Sequence, residues 1–504
     1  MNTLTIRLKQ HTPLIHFQHD QEGATLRASE VKPKLDKYIL TQLGEGDYEK
    51  GKAEAKSKGW LVGKGEHYAL DYKMRIEAED RFNEVQLNVK LNNKGKYYTY
   101  YLNAQGKEDG FPFLLANMGG KDTEEDLMNL SQFHSITLTL VTTNADLVNE
   151  INNNIESFFA LNNFGQRETK GFGSFSVLEK CINGLDRVVV NWKEKYKSYY
   201  ENGTPVLKFP LNTKDNEFGK QLMLFSVIDF YWKCLKSGIN YSKRQVPRNG
   251  NGDVIIRNKE RYIKSFLWTY LNSKGYTWEK RKIKRDLHLE TPFPERAYGE
   301  NANNAVFARG LMGCPDKYEY RIPQNTFRED KNRNQYKEIV EKHTVKIDNI
   351  SKTIERISSP IIFKPIVDGN SVSIYILFNK ELIDRLRSLP ENQRVFSFSE
   401  GRNQVQISIV PESIDYKELI RKFHVYFFTN DSFVSSTLGE YIDKRWQPAK
   451  IIANRDEQGK VVSRKWGDVS ISWKMVPRNF AWENILDPSD NGQNRYVSFS
   501  QIVK

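Results

Sequence analysis

Residues 162–177, NNFGQRETKGFGSFSV, combine residue types that bind phosphate groups. Arg167 and Lys170 supply positive charge, and the glycines of the Gly171–Ser174 stretch let backbone N–H groups approach an anion closely. The segment is not a mononucleotide phosphate loop, because GxxxxGK[ST] is absent and the strand follows the loop instead of preceding it. Two interpretations stay open: a phosphate-binding loop and a tight helix-to-strand turn.

A second group of reactive side chains, His16, His19 and Asp20, follows the first predicted strand. Imidazole titrates near neutrality, which suits proton transfer from a 2′-hydroxyl group. His16 and His19 are three residues apart in a loop with no third ligand nearby, so they make a poor metal site. An acid beside an imidazole does not by itself meet the geometric requirements of a catalytic site, and contact with phosphate or solvent is the alternative.

An amphipathic helix is predicted immediately before the glycine-rich loop. Asn144 can cap its N-terminus, and Gly165 occupies a position where a left-handed residue would end it. Apolar residues recur at helical spacing, and Phe175 and Val177 then begin a strand. The predicted helix face is Leu147, Val148, Ile151, Ile155, Phe158, Phe159 and Asn162.

Residues 26–40, LRASEVKPKLDKYIL, predict an earlier helix with Ser29 as its cap and Pro33 near its first turn. Its apolar face is Val31, Leu35, Tyr38 and Ile39. Four cations cluster at its start, and they form either a solvated face or a ligand-binding face. They are Arg27, Lys32, Lys34 and Lys37.

The first 180 residues are predicted to form, in order, a strand, a helix, two or more strands, a helix and a strand. Leu4, Ile6 and Leu8 alternate in the first strand, 85–91 and 97–102 form a hairpin, and 135–142 alternate cleanly. Residues 44–66 are rich in Gly, Lys and Glu and predict a mobile loop. This order is that of the ferredoxin-like split βαβ unit, the frame of the RNA-recognition module.

The chain has 504 residues, enough for roughly two to four domains. A formal charge of +13 favours a polyanionic partner, and the spread of basic residues along the chain favours a long groove. The 25 Tyr, 28 Phe and 9 Trp often lie beside Lys or Arg, a combination that single-stranded nucleic acid uses for stacking.

Three widely spaced cysteines, Cys181, Cys234 and Cys314, disfavour zinc ribbons and a disulfide framework. They fit a reducing cytoplasm, where we expect the protein to reside. No signal peptide or membrane-spanning run is recognised, and we expect neither a cofactor nor a membrane partner.

Beyond residue 190 the sequence pattern changes from predicted strands to predicted helices with basic segments. Residues 217–235 and 259–271 are predicted to form helices. The basic segment between them, 241–252, is predicted to be a loop rather than a helix. This loop either follows an RNA strand or is solvated. Its candidate RNA-binding cations are Lys243, Arg244 and Arg248. Residues 278–285, WEKRKIKR, are again basic.

The last third predicts a helix or linker over 322–350 and then a hairpin around Asp368-Gly369. The predicted domains are a ferredoxin-like domain (1–190), a helical, basic connecting region (191–345) and a second α+β domain (346–504).

Three stretches together resemble a known family. Residues 26–39 are similar to the first helix of RAMP-superfamily CRISPR proteins, and 166–177 resemble the glycine-rich loop of that superfamily. Residues 356–366, RISSPIIFKPI, resemble a segment in the second half of the first subunit of type III-B (Cmr) effector complexes.

The resemblance implies two ferredoxin-like (RRM-like) domains joined by a helical part, within an RNA-guided complex that acts in antiviral defence. It implies a subunit that holds crRNA near its 3′ end, contacts target RNA, docks on other effector subunits and does not itself cut. RNA-backbone contacts then fall on the helix-start cations and on the glycine-rich loop, with Phe172 either stacked on a base or buried. The loop residues concerned are Arg167, Lys170, Gly171, Phe172, Gly173 and Ser174.

Two alternatives accompany this expectation. In the first, the protein is a RAMP-type endoribonuclease acting through His16, His19 and Asp20, since members of the superfamily use a loop acid or a histidine in this region. In the second, it is an assembly protein whose basic surface binds an acidic protein partner.

Overall fold

A computed structural model of the chain describes its backbone over most of its length. The described residues are 1–15, 25–64, 67–81, 88–92, 95–102, 108–109, 121–124, 127, 130–185, 187–191, 207–211, 217–245, 257–263, 265–289, 304–330, 335–354, 356–429, 451–455 and 461–466.

The chain is a mixture of α-helices and β-strands. The helices are α1 (Ala28–Leu43), α2 (Tyr48–Ser57), α3 (Ala145–Leu161), α4 (Glu217–Lys236), α5 (Phe266–Ser273), α6 (Glu279–Asp286), α7 (Ala308–Leu311), α8 (Lys380–Ser388) and α9 (Tyr416–Thr429). Short 3-10 turns cover Glu168–Lys170, Glu391–Gln393 and Pro411–Ser413.

The strands are β1 (Asn2–Gln10), β2 (Leu14–Ile15), β3 (Leu61–Lys64), β4 (His67–Leu70), β5 (Lys73–Arg81), β6 (Asn88–Leu91), β7 (Tyr97–Leu102), β8 (Glu108–Asp109), β9 (Leu130–Ser131), β10 (Phe133–Thr142), β11 (Phe175–Ile182), β12 (Arg187–Val189), β13 (Leu207–Pro210), β14 (Ile239–Gln245), β15 (Arg257–Ile263), β16 (Thr277–Trp278), β17 (Ala305–Val306), β18 (Lys317–Asp330), β19 (Gln335–Asn349), β20 (Ile361–Asp368), β21 (Ser371–Phe378), β22 (Val395–Glu400), β23 (Asn403–Ser408), β24 (Ile451–Arg455) and β25 (Val461–Trp466).

The chain divides into two compact units, residues 1–229 with 362–377 and 430–504, and residues 230–361 with 378–429. In the first unit, one sheet has the strand order β12-β11-β1-β10-β5 with antiparallel pairing throughout. Alternate residues of β1, namely Leu4, Ile6 and Leu8, are buried and belong to the same core as the apolar face of α3. The predicted strand over 135–142 is confirmed as part of β10, and the 97–102 hairpin pairs β6 with β7.

Helix α3 confirms the predicted cap, because the Asn144 side chain accepts a hydrogen bond of 3.0 Å from the Leu147 N–H group. The predicted helix end is wrong. The helix closes at Leu161 with Asn162 in an extended conformation, and Gly165, at φ +79°, lies three residues further on. Its left-handed conformation belongs to the loop rather than to the cap.

Helix α1 also begins differently from the prediction. Arg27 is the N-cap residue, its side chain makes no capping bond, and Ser29 lies inside the helix. Pro33 is in the second turn instead of the first, so the helix lacks the hydrogen bond that its missing N–H would have donated. The predicted apolar face is present: Val31, Leu35 and Ile39 are buried, and Tyr38 packs against the same core.

The mobile loop predicted over 44–66 is wrong, because α2 and β3 occupy most of it. Asp47 caps α2 by accepting hydrogen bonds from the N–H groups of Glu49 and Lys50. The buried positions of this helix are Gly51 and Ala55. Such small residues carry little hydrophobic periodicity, so the sequence gives a weak helix signal here.

The second half is not one continuous sheet. Strands β20 and β21 form a sheet in the order β13-β21-β20, whereas β22 and β23 extend a sheet in the order β18-β19-β22-β23. The helix or linker predicted over 322–350 is wrong, because the long strands β18 and β19 pair there. The loop predicted over 241–252 is wrong for 241–245, which belong to β14 and pair with β15. A second ferredoxin-like domain is therefore not confirmed.

Within the described part of the chain, no helix combines the length and the apolar character needed to cross a membrane.

We expect Asn144→Ala to destabilise the first unit by about 1 kcal/mol, because the Leu147 N–H group loses its acceptor. Asn153→Ala is the matched control, since Asn153 is an exposed residue in the middle of the same helix. The control should be neutral or slightly stabilising, because alanine is the better helix former. Chemical unfolding of both variants measures the difference, and equal losses would contradict the cap.

Candidate nucleic-acid interface

The glycine-rich loop is anchored to the start of the chain by backbone hydrogen bonds. The Gly173 N–H group donates to the Pro13 carbonyl (2.9 Å), and the His11 N–H group donates to the Ser174 carbonyl (2.8 Å). The Thr12 hydroxyl donates to the Gly171 carbonyl (2.7 Å) and accepts from the Ser174 N–H group. The backbone polar groups of 171–174 are therefore largely used within the protein.

The loop glycines are required by contacts with the protein itself. Gly173 has φ +62°, and a Cβ atom on it would lie 1.9 Å from the Phe164 carbonyl oxygen. Gly171 has φ +91°, and a Cβ atom there would lie 2.7 Å from Cγ of Pro365. The close approach expected from these glycines is therefore an approach to neighbouring protein atoms, and both residues are buried.

Phe172 adopts the buried alternative of the two that the sequence left open. Its side chain has no exposed surface, and its ring stacks on Phe225 with the centroids 3.9 Å apart. Ser174 is also fully buried, and its hydroxyl donates to the Pro365 carbonyl (2.7 Å). Neither side chain is presented to a ligand in this structure.

Lys364, on strand β20, forms hydrogen bonds on both sides of the glycine-rich loop. The Lys364 Nζ atom donates to the carbonyl oxygens of Phe159 (2.8 Å), Asn162 (2.7 Å) and Phe175 (3.1 Å). Complete burial lowers the pKa of Lys364 well below its ordinary value. The three acceptors oppose that shift, because an ammonium group has three N–H donors and a neutral amine has two.

Helix α1 and the glycine-rich loop meet through polar contacts. The Lys34 Nζ atom lies 2.6 Å from Oε2 of Glu168 and donates to the Asn163 carbonyl (3.3 Å). The Gly165 N–H group donates to Oε1 of Glu30 (2.6 Å). Two segments more than 130 residues apart in sequence therefore form one surface.

The remaining predicted cations of this region differ in exposure. Lys37 is exposed, and Arg27 and Arg167 are partly exposed. Arg167 adopts a left-handed conformation at φ +62°, at the start of the 3-10 turn. The Nζ atom of Lys170 is buried, so its ammonium group is not presented to solvent.

Lys32 lies apart from Lys34, on a different side of α1. Its Nζ atom donates to the Leu70 carbonyl (2.8 Å), pairs with Asp36 (3.0 Å) and lies 3.7 Å from the centroid of the Tyr72 ring. These contacts join α1 to the strands that follow it. Lys32 is therefore not brought together with the loop cations.

The other predicted site residues lie elsewhere. Lys243 and Arg244 belong to β14, whereas Arg248 and the group His16, His19 and Asp20 lie outside the described residues. Among the residues that the structure does describe, no group of three or more His, Cys, Asp or Glu could hold a metal ion.

Sequence reasoning missed three residues of this region: His11, Glu168 as a partner of Lys34, and Lys364. Lys364 lies within the RISSPIIFKPI stretch, and a lysine in an otherwise apolar strand is the signal that could have marked it. His11 is fully buried, with Nε2 2.8 Å from the Ser176 hydroxyl and Nδ1 accepting from the Val367 N–H group (3.1 Å). Burial, with smaller contributions from Lys9 and Lys364, lowers the pKa of His11 well below 6.5.

Comparison with protein families gives two matches. The model of the Cmr1 N-terminal domain matches residues 1–239, and that of the Cmr1 C-terminal domain matches residues 262–441. None of the curated proteins matches the sequence.

Among solved structures, apo Cmr1 from Pyrococcus furiosus aligns over 87% of this chain and 97% of its own, with 11% identity and a TM-score of 0.31. A chain of the type III-B Cmr-beta complex bound to cognate target RNA aligns over 36% of this chain, with 11% identity and a TM-score of 0.21. The alignment spans 60% of the length of that second chain.

We expect Gly173→Ala to destabilise the first unit far more than Gly184→Ala does. Both glycines have positive φ, so the left-handed backbone conformation lowers the stability of each alanine variant by about 1 kcal/mol. Only the Gly173 variant places its methyl group against the Phe164 carbonyl, whereas nothing lies within 4 Å of a Cβ atom at Gly184. Thermal unfolding of the two variants tests this, and similar melting temperatures would contradict the packed loop.

Stability should fall as the pH drops below about 6.5, because the unfolded chain then binds a proton that buried His11 resists. The slope contributed by this residue reaches at most about 1.4 kcal/mol per pH unit. The slope from His11 fades as the pH rises above about 6.5, because the histidine of the unfolded chain then loses its proton as well. His11→Gln should remove this component and exposed His134→Gln should not, as followed by urea unfolding between pH 5 and 8. An unchanged slope in His11→Gln would contradict the assignment.

Proposed function

This chain belongs to the Cmr1 family of CRISPR proteins, and from that membership we propose that it is an RNA-binding subunit of a type III-B effector complex. In this role it holds crRNA near the 3′ end and contacts target RNA in antiviral defence. Its partners are the two RNAs and other subunits of the complex. Its contribution is to bind RNA rather than to cut it.

The first sheet supports a ferredoxin-like frame for this function. Its chain order β1-α1-β5-β10-α3-β11 and its sheet order β11-β1-β10-β5, all antiparallel, are those of the split βαβ arrangement. Such a frame hosts many functions, so the argument for RNA depends on the surface it carries.

The observation that carries the proposal is the contact between Lys34 and Glu168. It unites cations from the start of α1 with the turn that precedes Gly171, forming a surface that we call the loop–helix surface. Its exposed or partly exposed cations are Arg27, Lys34, Lys37 and Arg167. A guide of any sequence can be held by such cations, because phosphate contacts position an RNA without reading its bases.

The buried residues of the glycine-rich loop have a structural role in this proposal. Phe172, Gly171 and Gly173 shape the turn from inside, so the turn offers charge to the RNA backbone rather than an aromatic platform. Glu168 competes with phosphate for Lys34, since the ion pair is partly exposed at both ends. Such a pair contributes little stability and can be exchanged for a phosphate contact.

We expect the double variant Lys37→Glu with Arg167→Glu to weaken binding to all single-stranded RNA sequences by a similar factor, roughly tenfold or more at physiological salt. The slope of log K against log salt should flatten by about 1.4, as for two lost phosphate contacts on a single strand. Glu168→Gln should act in the opposite direction and strengthen binding, because Lys34 loses the closer of its two carboxylate partners and keeps only Glu30, at 3.5 Å. Fluorescence anisotropy over a salt series measures all three quantities.

The control is Lys50→Glu with Lys52→Glu on α2, which makes the same change in net charge away from the loop–helix surface. Equal loss of affinity in the control would show a nonspecific charge effect and remove this surface from the proposal. In a reconstituted effector complex, shortening the 3′ end of crRNA should abolish the difference between the double variant Lys37→Glu with Arg167→Glu and the wild type. Metal-independent RNA cleavage that is lost in His19→Ala would favour the nuclease alternative instead.

A further inference from the structure

We infer that β12, at the edge of the five-stranded sheet, is a docking site where another subunit of the effector complex adds an extended strand. The added strand carries apolar side chains at alternate positions and at least one carboxylate. The inference rests on the proposed function, because it takes the partner from the same complex. It uses none of the residues of the loop–helix surface.

Strand β12 has one open side. In the described part of the chain it is the last strand of its sheet, and its strand partner is β11. The Val190 N–H group donates to the Leu178 carbonyl (2.7 Å). Because bonded and non-bonded pairs alternate between antiparallel strands, the N–H and carbonyl groups of Val189 point away from β11. Such backbone groups can form the hydrogen bonds of an added strand.

Large apolar side chains are concentrated at this edge. Leu185, between β11 and β12, is 78% exposed, and Val188 and Val189 are 50% and 77% exposed. Three of the seven large hydrophobic side chains that are exposed among the described residues therefore lie within five positions. Scattered exposed apolar residues are normal, whereas a cluster of them marks an interaction site.

The features that usually protect an edge strand are weak in β12. Natural edge strands are protected by charged side chains, by proline or by bulges. The charged residue of β12 is Arg187, and its guanidinium donates to Oε1 of Glu179 (2.9 Å). The strand contains no proline, and its pairing with β11 is regular. The edge therefore remains suited to strand addition.

The charges beside this edge favour an acidic partner. Glu179 forms ion pairs with both Arg187 and Arg7, so two exposed guanidinium groups share one carboxylate. A carboxylate on the added strand would complement the second guanidinium. A second copy of this chain fits less well, because each copy has a formal charge of +13 and the two would repel each other.

The open face of the sheet does not suit base stacking by RNA. In the RNA-recognition module, aromatic side chains on the sheet stack on bases. Here the residues of β1 and β10 that alternate with buried core residues lie on the open face. They pair as Thr3 with Val141, Thr5 with Thr139 and Arg7 with Thr137, and none of these six is aromatic. A protein strand, which binds through its backbone, fits this sheet better than RNA does.

The test uses the full chain and a type III-B complex reconstituted with crRNA but without this subunit. Val189→Lys should weaken docking at least about tenfold, because the buried area of a valine is lost and an ammonium group would lose its water. Leu185→Lys, outside the strand, should act in the same direction. The matched control is Val62→Lys on β3, because Val62 is also an exposed valine of the first unit (51%). It should dock like the wild type, and all variants should have similar thermal unfolding midpoints.

Two measurements distinguish strand addition from contact through side chains alone. Amide hydrogen exchange in the peptide of residues 185–190 should slow when the wild-type chain enters the complex, because the outward Val189 N–H group gains an acceptor. Arg187→Gln should slow association severalfold at low salt, and the difference should vanish at high salt, where charges are screened.

The outcomes separate this inference from the proposed function. Unchanged amide exchange, with Val189→Lys docking like the wild type, would overturn the edge site and leave the proposed function standing. A wild-type chain that does not enter the complex would overturn both. Dimerisation of the free chain that is lost in Val189→Lys would replace the other subunit with a second copy. Slower exchange of the same amides on adding crRNA alone would replace it with RNA.

Discussion

The arrangement of the loop–helix surface depends on one buried ammonium group. Lys364 donates to carbonyl oxygens of Phe159 and Asn162 at the end of α3 and of Phe175 at the start of β11. These three residues flank the glycine-rich loop on both sides, so one side chain fixes where the loop leaves the helix and where it enters the sheet. A buried charge is tolerated only when its donors are satisfied, and here each of its three N–H groups has an acceptor.

Around that fixed point, the loop separates structural residues from charged ones. Phe172 and the two glycines face the protein, where Phe225, Pro365 and the Phe164 carbonyl leave no room for larger groups. Arg167 and Glu168 remain partly exposed, and Glu168 pairs with Lys34. A rigid interior with cations on its outer side suits a proposed role of holding RNA irrespective of sequence, because phosphate contacts depend on position and charge rather than on base identity.

A similar principle orients α6 in the second unit. There the buried ion pair between Glu279 and Arg309 holds one face of the helix in the interior, while the cations of the helix stay at the surface. In both units, a buried charged side chain has its partners within the protein: three backbone carbonyl oxygens for Lys364 and the Glu279 carboxylate for Arg309.

Local sequence signals determined the elements whose stability is local. The Asn144 cap and the apolar repeat predict α3, and alternation predicts β1 and β10, because capping and periodicity act within a few residues. The tertiary structure decided that 48–57 form a helix, that Phe172 is buried and that Lys364 lies beneath the loop. These features depend on small residues packed between helices and on hydrogen bonds between residues some 200 positions apart, as for Lys364 and Phe159. No local sequence pattern specifies a partner at that distance. The sequence therefore determines which charged residues the site contains, and the tertiary structure determines which of them face outward.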